Sequence, residues 1–206
     1  SEDVYDSTST AAIGVACHEA GHAVASYFCK NTDPIKHITI IPAGNAGGVT
    51  VSVPTEDRMG MSKNEMLDII VRALGGRVAE EIILDDISTG ASNDIQKATD
   101  IARAMVTKYG MSTALGPINY GSDRDEVFIG RTMGQNRGYS EAVAAQIDEE
   151  VKAIVGEAYS RCEALLTENR PALETVAAYL LEHETMDRSA FLAVLEGREP
   201  DQKPDE

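Results

Sequence analysis

The sequence predicts a mainly α-helical domain with a small β-sheet. Long stretches repeat apolar residues every three or four positions, whereas only two short ones alternate. Hydrophobic residues make up 43% of the 206, enough for a sizeable core. Trp is absent and aromatics are 5%, so that core must be aliphatic, built from Ala, Ile, Leu, Val and Met.

The elements follow in order. Ser1 to Ser7 is polar and acidic and reads as a frayed start. Ser7 to Ser9 offer N-cap residues for a helix running to about Lys30, with Ile13, Ala16, Ala20, Ala23, Val24 and Tyr27 on its apolar side. Asn31-Thr32-Asp33-Pro34 is turn chemistry and ends it. Ile35 to Ile41 reads as a strand, with Ile35, His37, Thr39 and Ile41 on one face and Lys36, Ile38 and Ile40 on the other. Gly48 to Val53 alternates as a second strand, closed by Pro54. Two strands alone are marginal, so they must pack on helices.

Ser62-Lys63-Asn64-Glu65 forms a capping box opening a helix to about Leu84. Gly75-Gly76 in its middle destabilises the helix unless a neighbour packs there closely. Ser92 is expected to cap the next helix, to about Tyr109, with Ile95, Ala98, Ala102, Met105 and Tyr109 inward and Gly110 as its stop. Met111 to Gly138 reads as a long, partly mobile loop with one apolar run at Val127-Phe128-Ile129. Ser140 opens a long amphipathic helix through about Leu166, Pro171 starts another to about His183, and Arg188 to Leu195 forms a last short one. Residues 1–198 are read as one domain and 199–206 as a disordered tail.

Lys and Arg number 18 against 34 Asp and Glu, a net charge of −16. Such a surface argues against nucleic acid and anionic lipid as partners. Cys17, Cys29 and Cys162 form no C-x-x-C pair, and their odd number suits a reducing compartment. No apolar run reaches the length of a membrane span, no signal peptide opens the chain, and no G-x-x-x-x-G-K-[ST] phosphate loop occurs.

The chemistry sits in the first helix, where His18-Glu19-Ala20-Gly21-His22 spells H-E-x-x-H. One helical turn separates the two histidines, so both imidazoles leave the same face and can share a zinc ion. Glu19 points about 100° away around the axis, beside the metal rather than on it. There it can take the proton of a metal-held water attacking a peptide carbonyl. Ala20, Gly21 and Ala23 are small and let another backbone approach. A solvated helix face could carry the same residues. Catalytic zinc usually keeps three protein ligands. The extended motif with a third histidine is excluded, because Ala25 and Phe28 stand at its glycine and histidine positions. Glu80, Glu81 and Asp94 remain, and spacing alone does not choose among them. His37 reads as a structural or exposed strand residue, and His183 as a helix-end cation.

Further blocks extend the pattern: Ile38-Thr39-Ile40-Ile41-Pro42, Gly48-Val49-Thr50, Leu74-Gly75-Gly76-Arg77-Val78-Ala79-Glu80-Glu81, Ser88-Thr89-Gly90-Ala91-Ser92-Asn93-Asp94, Met105-Val106-Thr107-Lys108-Tyr109-Gly110-Met111-Ser112 and Thr167-Glu168-Asn169-Arg170. With the zinc motif, and in this order, they resemble the proteolytic domain of the FtsH family, the membrane-bound ATP-dependent zinc metalloproteases. The resemblance runs from about Ala16 to Leu195. It implies a helical zinc-metalloprotease domain with a small sheet. It implies zinc held by His18, His22 and Asp94. Glu80 follows Gly75-Gly76 by about a turn, and their small surface suits close packing on the motif helix, so it is expected as a carboxylate bonded to a ligand histidine. The resemblance also implies a homo-hexamer in the full-length protein, an ATPase module before this domain and a membrane anchor before that. Both upstream parts lie outside this chain, so contact with a membrane is expected only through the missing anchor. Cys17 stands where the family often has a larger residue.

The function expected is a zinc metalloendopeptidase, ATP-dependent in the full-length protein, acting on unfolded or membrane-extracted polypeptides. Glu19 would be the general base, and the strand carrying Gly48, Val49 and Thr50 would pair with extended substrate. The location implied is the cytoplasmic side of a bacterial membrane, with an organelle inner membrane as the alternative. The rivals are an amidase-like metallohydrolase and an assembly or adaptor module with a structural metal.

Overall fold

Ser9 opens the first helix: its hydroxyl accepts the Ala12 N–H at 3.1 Å, satisfying a donor that the helix cannot. This helix, α1, spans Thr10–Phe28 in a computed structural model that describes residues 9–44, 46–52, 60–121 and 138–200. Its buried face is made of small residues, among them Ala12, Ala16, Ala20 and Ala23. Ile13 is only partly covered and Tyr27 is exposed, contrary to the expected apolar side. The reason is the partner: α2, Lys63–Leu84, crosses α1 on its Ala and Gly residues.

That crossing is unusually close. A methyl group on Gly75 would lie 2.6 Å from the Gly21 carbonyl oxygen, and one on Gly21 would collide in turn with the Gly75 carbonyl. Glycine at both positions lets these backbones meet, which explains Gly75 of the helix-weakening pair; Gly76 lies instead against the His18 ring. Ser62 caps α2 through the Glu65 N–H at 3.1 Å, as the capping box predicts.

The strands β1, Ile35–Thr39, and β2, Val49–Ser52, pair antiparallel. The register slips between Ile35 and His37, a bulge that turns one residue over. Hence Ile35 and Ile38 are both buried, although strict alternation puts them on opposite faces. A third strand, β3, Thr185–Asp187, pairs with the other side of β1 and gives the order β2-β1-β3. The sequence pattern does not announce it, because three residues are too few to show an alternation.

The 3-10 turn Thr89–Ala91 leads directly into α3, Ser92–Thr107. Ser92 is therefore not the cap: Ala91 stands at that position without a side-chain bond, and Ser88 caps the turn instead. Gly110 adopts a left-handed φ of 59° after α3, as its stop signal requires. Tyr109, expected inward, is exposed. Ser140 caps α4, Glu141–Glu168, and is followed by α5, Arg170–His183, and α6, Arg188–Leu195. Ile70, Leu74, Met105, Ile147, Leu166, Leu173 and Leu180 meet in one core around α1 and α2. Asp68, buried in it, accepts both amide N–H groups of Asn31 at 3.0 Å and the Arg161 guanidinium at 2.7 Å. This ties α4 to the turn after α1.

No helix among the described residues is long and apolar enough to cross a membrane. The frayed start, the end of the second strand at Val53-Pro54, residues 122–137 of the long loop with Val127-Phe128-Ile129, and the tail from 201 lie outside the described residues.

Candidate metal centre

Both motif histidines lie on α1 one turn apart, and α2 fixes how each ring turns. His18 Nδ1 lies 3.0 Å from Glu80 Oε1, and His22 Nδ1 lies 2.7 Å from the Arg72 carbonyl oxygen. A carbonyl can only accept, and a carboxylate accepts when ionised, so both Nδ1 atoms carry the donated proton. Each Nε2 is thereby left facing the cleft, where it offers a lone pair to a metal once it gives up its proton. The two rings stand almost perpendicular, 81° apart, with centroids at 4.6 Å.

Asp94 comes from the first turn of α3. Its Oδ2 lies 2.9 Å from His18 Nε2 and 3.1 Å from His22 Nε2, while the two Nε2 atoms are 3.0 Å apart. Among the described residues this is the cluster of His, Cys, Asp and Glu whose ligand atoms converge tightly enough to hold a metal ion. Bonds of 2.0–2.2 Å at tetrahedral angles require ligand atoms about 3.3–3.6 Å apart. The triangle of His18, His22 and Asp94 needs to open by only a few tenths of an ångström to meet that.

The three carboxylates left open by spacing now separate. Glu80 is 4% exposed and bonds the far side of the His18 ring. Its second oxygen, Oε2, accepts the Ser88 N–H at 3.2 Å and the Ser88 hydroxyl at 3.0 Å. Glu81, one residue and 100° further round the helix, is exposed and accepts the Tyr159 hydroxyl of α4. Asp94 alone of the three reaches both Nε2 atoms.

The electrostatics follow from this crowding. Burial pulls the His18 pKa down, but hydrogen bonds to Asp94 and Glu80 and the charges of Glu19 and Asp94 outweigh it and hold it up at about 9. Burial raises the Asp94 pKa, and hydrogen bonds from His18 and His22 overcome that, leaving it well below the usual carboxylate range. Glu80 is lowered against its own burial by the His18 bond and by Ser88. The cluster is built to stabilise positive charge between its two histidines and its carboxylates.

Glu19 points elsewhere, as the helical repeat requires. It is buried, and its Oε2 accepts the Thr50 hydroxyl of β2 at 2.7 Å. Gly48 packs against its stem, since a methyl there would lie 3.0 Å from Glu19 Cγ. Motif helix and β2 together border a cleft of about 1070 Å³ whose lining includes His18, Glu19, His22, Gly48, Val49, Thr50 and Asp94. His37 and His183 do not line it. His183 ends α5 and stacks on Tyr179 with ring centroids at 4.3 Å.

Three contacts escape the sequence reading. The Arg72 carbonyl has no side-chain signature at all. The Thr50 hydroxyl on Glu19 was hidden behind a strand assignment, and Ser88 behind a loop. Each depends on which segments meet across the fold.

Comparison with known proteins agrees with the geometry. The model of peptidase family M41 matches residues 7–194. The chain is 55% identical over 185 residues to ATP-dependent zinc metalloprotease FtsH 1 of Thermoanaerobacter sp. (strain X514), covering 90% of this chain and 30% of that protein. It is 52% identical over 182 residues to FtsH 2 of Alkaliphilus metalliredigens (88% and 26%), and 49% identical over 174 residues to FtsH of Bacillus subtilis (84% and 27%). It thus spans less than a third of these curated relatives. A match over nearly the whole chain, on a fold that brings the H-E-x-x-H histidines and an aspartate together, leaves one assignment: the chain belongs to peptidase family M41.

Proposed function

We propose that this chain is the zinc-dependent endopeptidase unit of an ATP-dependent protease. The observation that carries the reading is the triangle of His18 Nε2, His22 Nε2 and Asp94 Oδ2, with every edge at 2.9–3.1 Å and Glu19 set beside it on the next helical position. These three residues would hold zinc. Their chemistry, two imidazoles and a carboxylate, is the donor set of catalytic zinc sites with one open position. Zinc, when bound, supplies Lewis acidity and makes water nucleophilic near neutral pH.

The remaining steps belong to the chain's own side chains. Glu19 accepts the proton of the attacking water and returns it to the leaving amine. Thr50 holds the Glu19 carboxylate by its hydroxyl, which limits rotation of a flexible side chain. Glu80 and the Arg72 carbonyl keep the histidine rings in the tautomer that offers Nε2. β2 is an edge strand in the order β2-β1-β3, and Gly48, Val49 and Thr50 border the cleft. An extended polypeptide can add to that edge through main-chain bonds, which favours sequence-tolerant cleavage of unfolded chains. The relatives are named ATP-dependent zinc metalloproteases, which supports an ATP-driven setting for such a unit. We extend the reading, on the family resemblance alone, to an ATPase module that feeds it substrate within a membrane-anchored homo-hexamer.

A structural metal in an adaptor module would call for four protein ligands. Three converge here among the described residues, which favours the open, catalytic arrangement. The test combines metal analysis with a peptide assay. One zinc per chain and chelator-sensitive cleavage of an unstructured fluorogenic peptide are expected. Stoichiometric zinc in an oligomeric chain that cleaves no peptide would favour the adaptor reading.

A further inference from the structure

α3 begins without a side-chain cap of its own, because Ala91 at that position offers no acceptor. Its start is set by the 3-10 turn Thr89–Ala91 that leads into it. That turn begins at Ser88, whose backbone is extended at φ −119°, ψ 167°. Ser88 Oγ accepts the Gly90 N–H at 3.2 Å, and the same hydroxyl donates to Glu80 Oε2 at 3.0 Å. The Ser88 N–H donates to that oxygen as well. The other Glu80 oxygen accepts from His18 Nδ1. A continuous path of hydrogen bonds therefore runs from the His18 ring, through Glu80 and Ser88, into the turn that presents Asp94.

We propose that Ser88 is a positioning residue of the metal centre: its hydroxyl locks the Glu80 carboxylate and so sets the spacing between the His18 ring and Asp94. The inference rests on reading His18, His22 and Asp94 as the zinc ligands. A glutamate held at one oxygen can still swing about its last torsion, which is broad. Anchoring the second oxygen removes that freedom. The anchor also joins α2 to the entry of α3, so one carboxylate registers two ligands that are distant in sequence. Loss of an outer partner of a ligand histidine typically weakens metal binding by about 10–100-fold. Removing the hydroxyl leaves the Ser88 N–H bond in place, so the lower end of that range, roughly tenfold, is expected.

Zinc affinity of the 206-residue chain, measured by competition with a chromophoric chelator, tests this. Ser88→Val should bind zinc about tenfold more weakly than Ser88→Thr, which should match the wild type. The two side chains are nearly isosteric and both suit the extended backbone, so the comparison isolates the hydroxyl. Ser88→Ala should behave like Ser88→Val. Adding Ser88→Ala to Glu80→Gln should cause no further loss, because Ser88 acts through Glu80; a loop that is merely destabilised would add its loss. Equal affinity of the Val and Thr variants, or additive losses in the double variant, would overturn the role of Ser88 while leaving the metal centre standing. If His22→Ala bound zinc as the wild type does, the metal centre itself would be misassigned and the positioning role would fall with it.

Discussion

Gly76 of α2 lies against the imidazole of His18, so close that a methyl group on it would sit 2.5 Å from Nδ1. The ring and the Gly76 backbone occupy adjacent space, and the Glu80 bond holds the ring there. Gly76→Ala sets two effects against each other. Alanine favours a helix interior over glycine by about 0.5–1 kcal/mol. Overpacking a tight contact costs about 1–3 kcal/mol. The collision should win, and because a ring rather than backbone must give way, it should displace His18. The expected result is a lower melting temperature together with weakened zinc binding. A stabilised variant with full zinc affinity would show that the ring moves freely.

Gly75→Ala makes a cleaner stability test, since its added methyl meets the Gly21 carbonyl and not a side chain. Two helix backbones must separate to admit it. A loss at or above about 3 kcal/mol in urea unfolding is expected, greater than that of Gly76→Ala. The ranking of the two variants by denaturation midpoint checks this.

Glu19→Gln should keep zinc and the helical circular dichroism and lose peptide hydrolysis by about a hundredfold or more. Glu19 bonds Thr50 and takes no part in the triangle of ligand atoms, so its amide should leave metal content unchanged. Loss of zinc with the helices intact would place Glu19 among the ligands and remove it as the base.

Asp94→Asn should bind zinc poorly even in excess and should be inactive. Glu80→Gln should keep activity once zinc is supplied, with affinity lowered about 10–100-fold. The contrast follows from geometry, Asp94 Oδ2 lying beside both Nε2 atoms and Glu80 behind one ring. A metal-loaded crystal structure with a Glu80 oxygen about 2.0–2.2 Å from zinc, and Asp94 turned away, would reverse the two roles.

The thiols make a pH prediction. Burial first, and then nearby charge, pushes Cys29 up to about 11 and Cys162 up to about 12, from an ordinary value of 9.0. Below that ordinary value both states hold the proton and stability is unaffected. As pH rises through it, the unfolded chain releases protons that the folded chain retains, so this contribution to stability declines up to the folded values. Urea midpoints should therefore fall from about pH 9 upward, more steeply in the wild type than in Cys162→Ala. At pH 8 the folded chain should resist alkylation, and urea should expose all three thiols, which are buried and free. Prompt alkylation of Cys162 in the folded chain would contradict this.

Most helices were legible because their causes are local. Ser9, Ser62 and Ser140 sit where the caps were read, and α4 buries Ile147, Val151, Ala158 and Cys162 at the expected spacing. H-E-x-x-H was legible for the same reason, since a helical turn alone puts His18 and His22 on one face. Locality also marks where the reading stopped. β3 is three residues long and pairs Thr185 with Thr39, a partner distant in the chain, so no pattern within it could reveal it. The bulge after Ile35 and the uncapped start of α3 likewise answer to neighbours in space.

The sequence by itself determined which residues could do the chemistry: two histidines and a glutamate on one helix, with three acidic side chains as further ligands. Spacing did not choose among those three; the family resemblance pointed to Asp94, and only the tertiary structure supplies the geometry that separates them. The approach of α2 at Gly21 and Gly75 puts Glu80 behind His18, the helical repeat turns Glu81 toward Tyr159, and the turn after Ser88 brings Asp94 to the open side. Backbone sterics dictate periodicity within a helix, but the distance between residues on different helices is set by how closely their side chains let them pack.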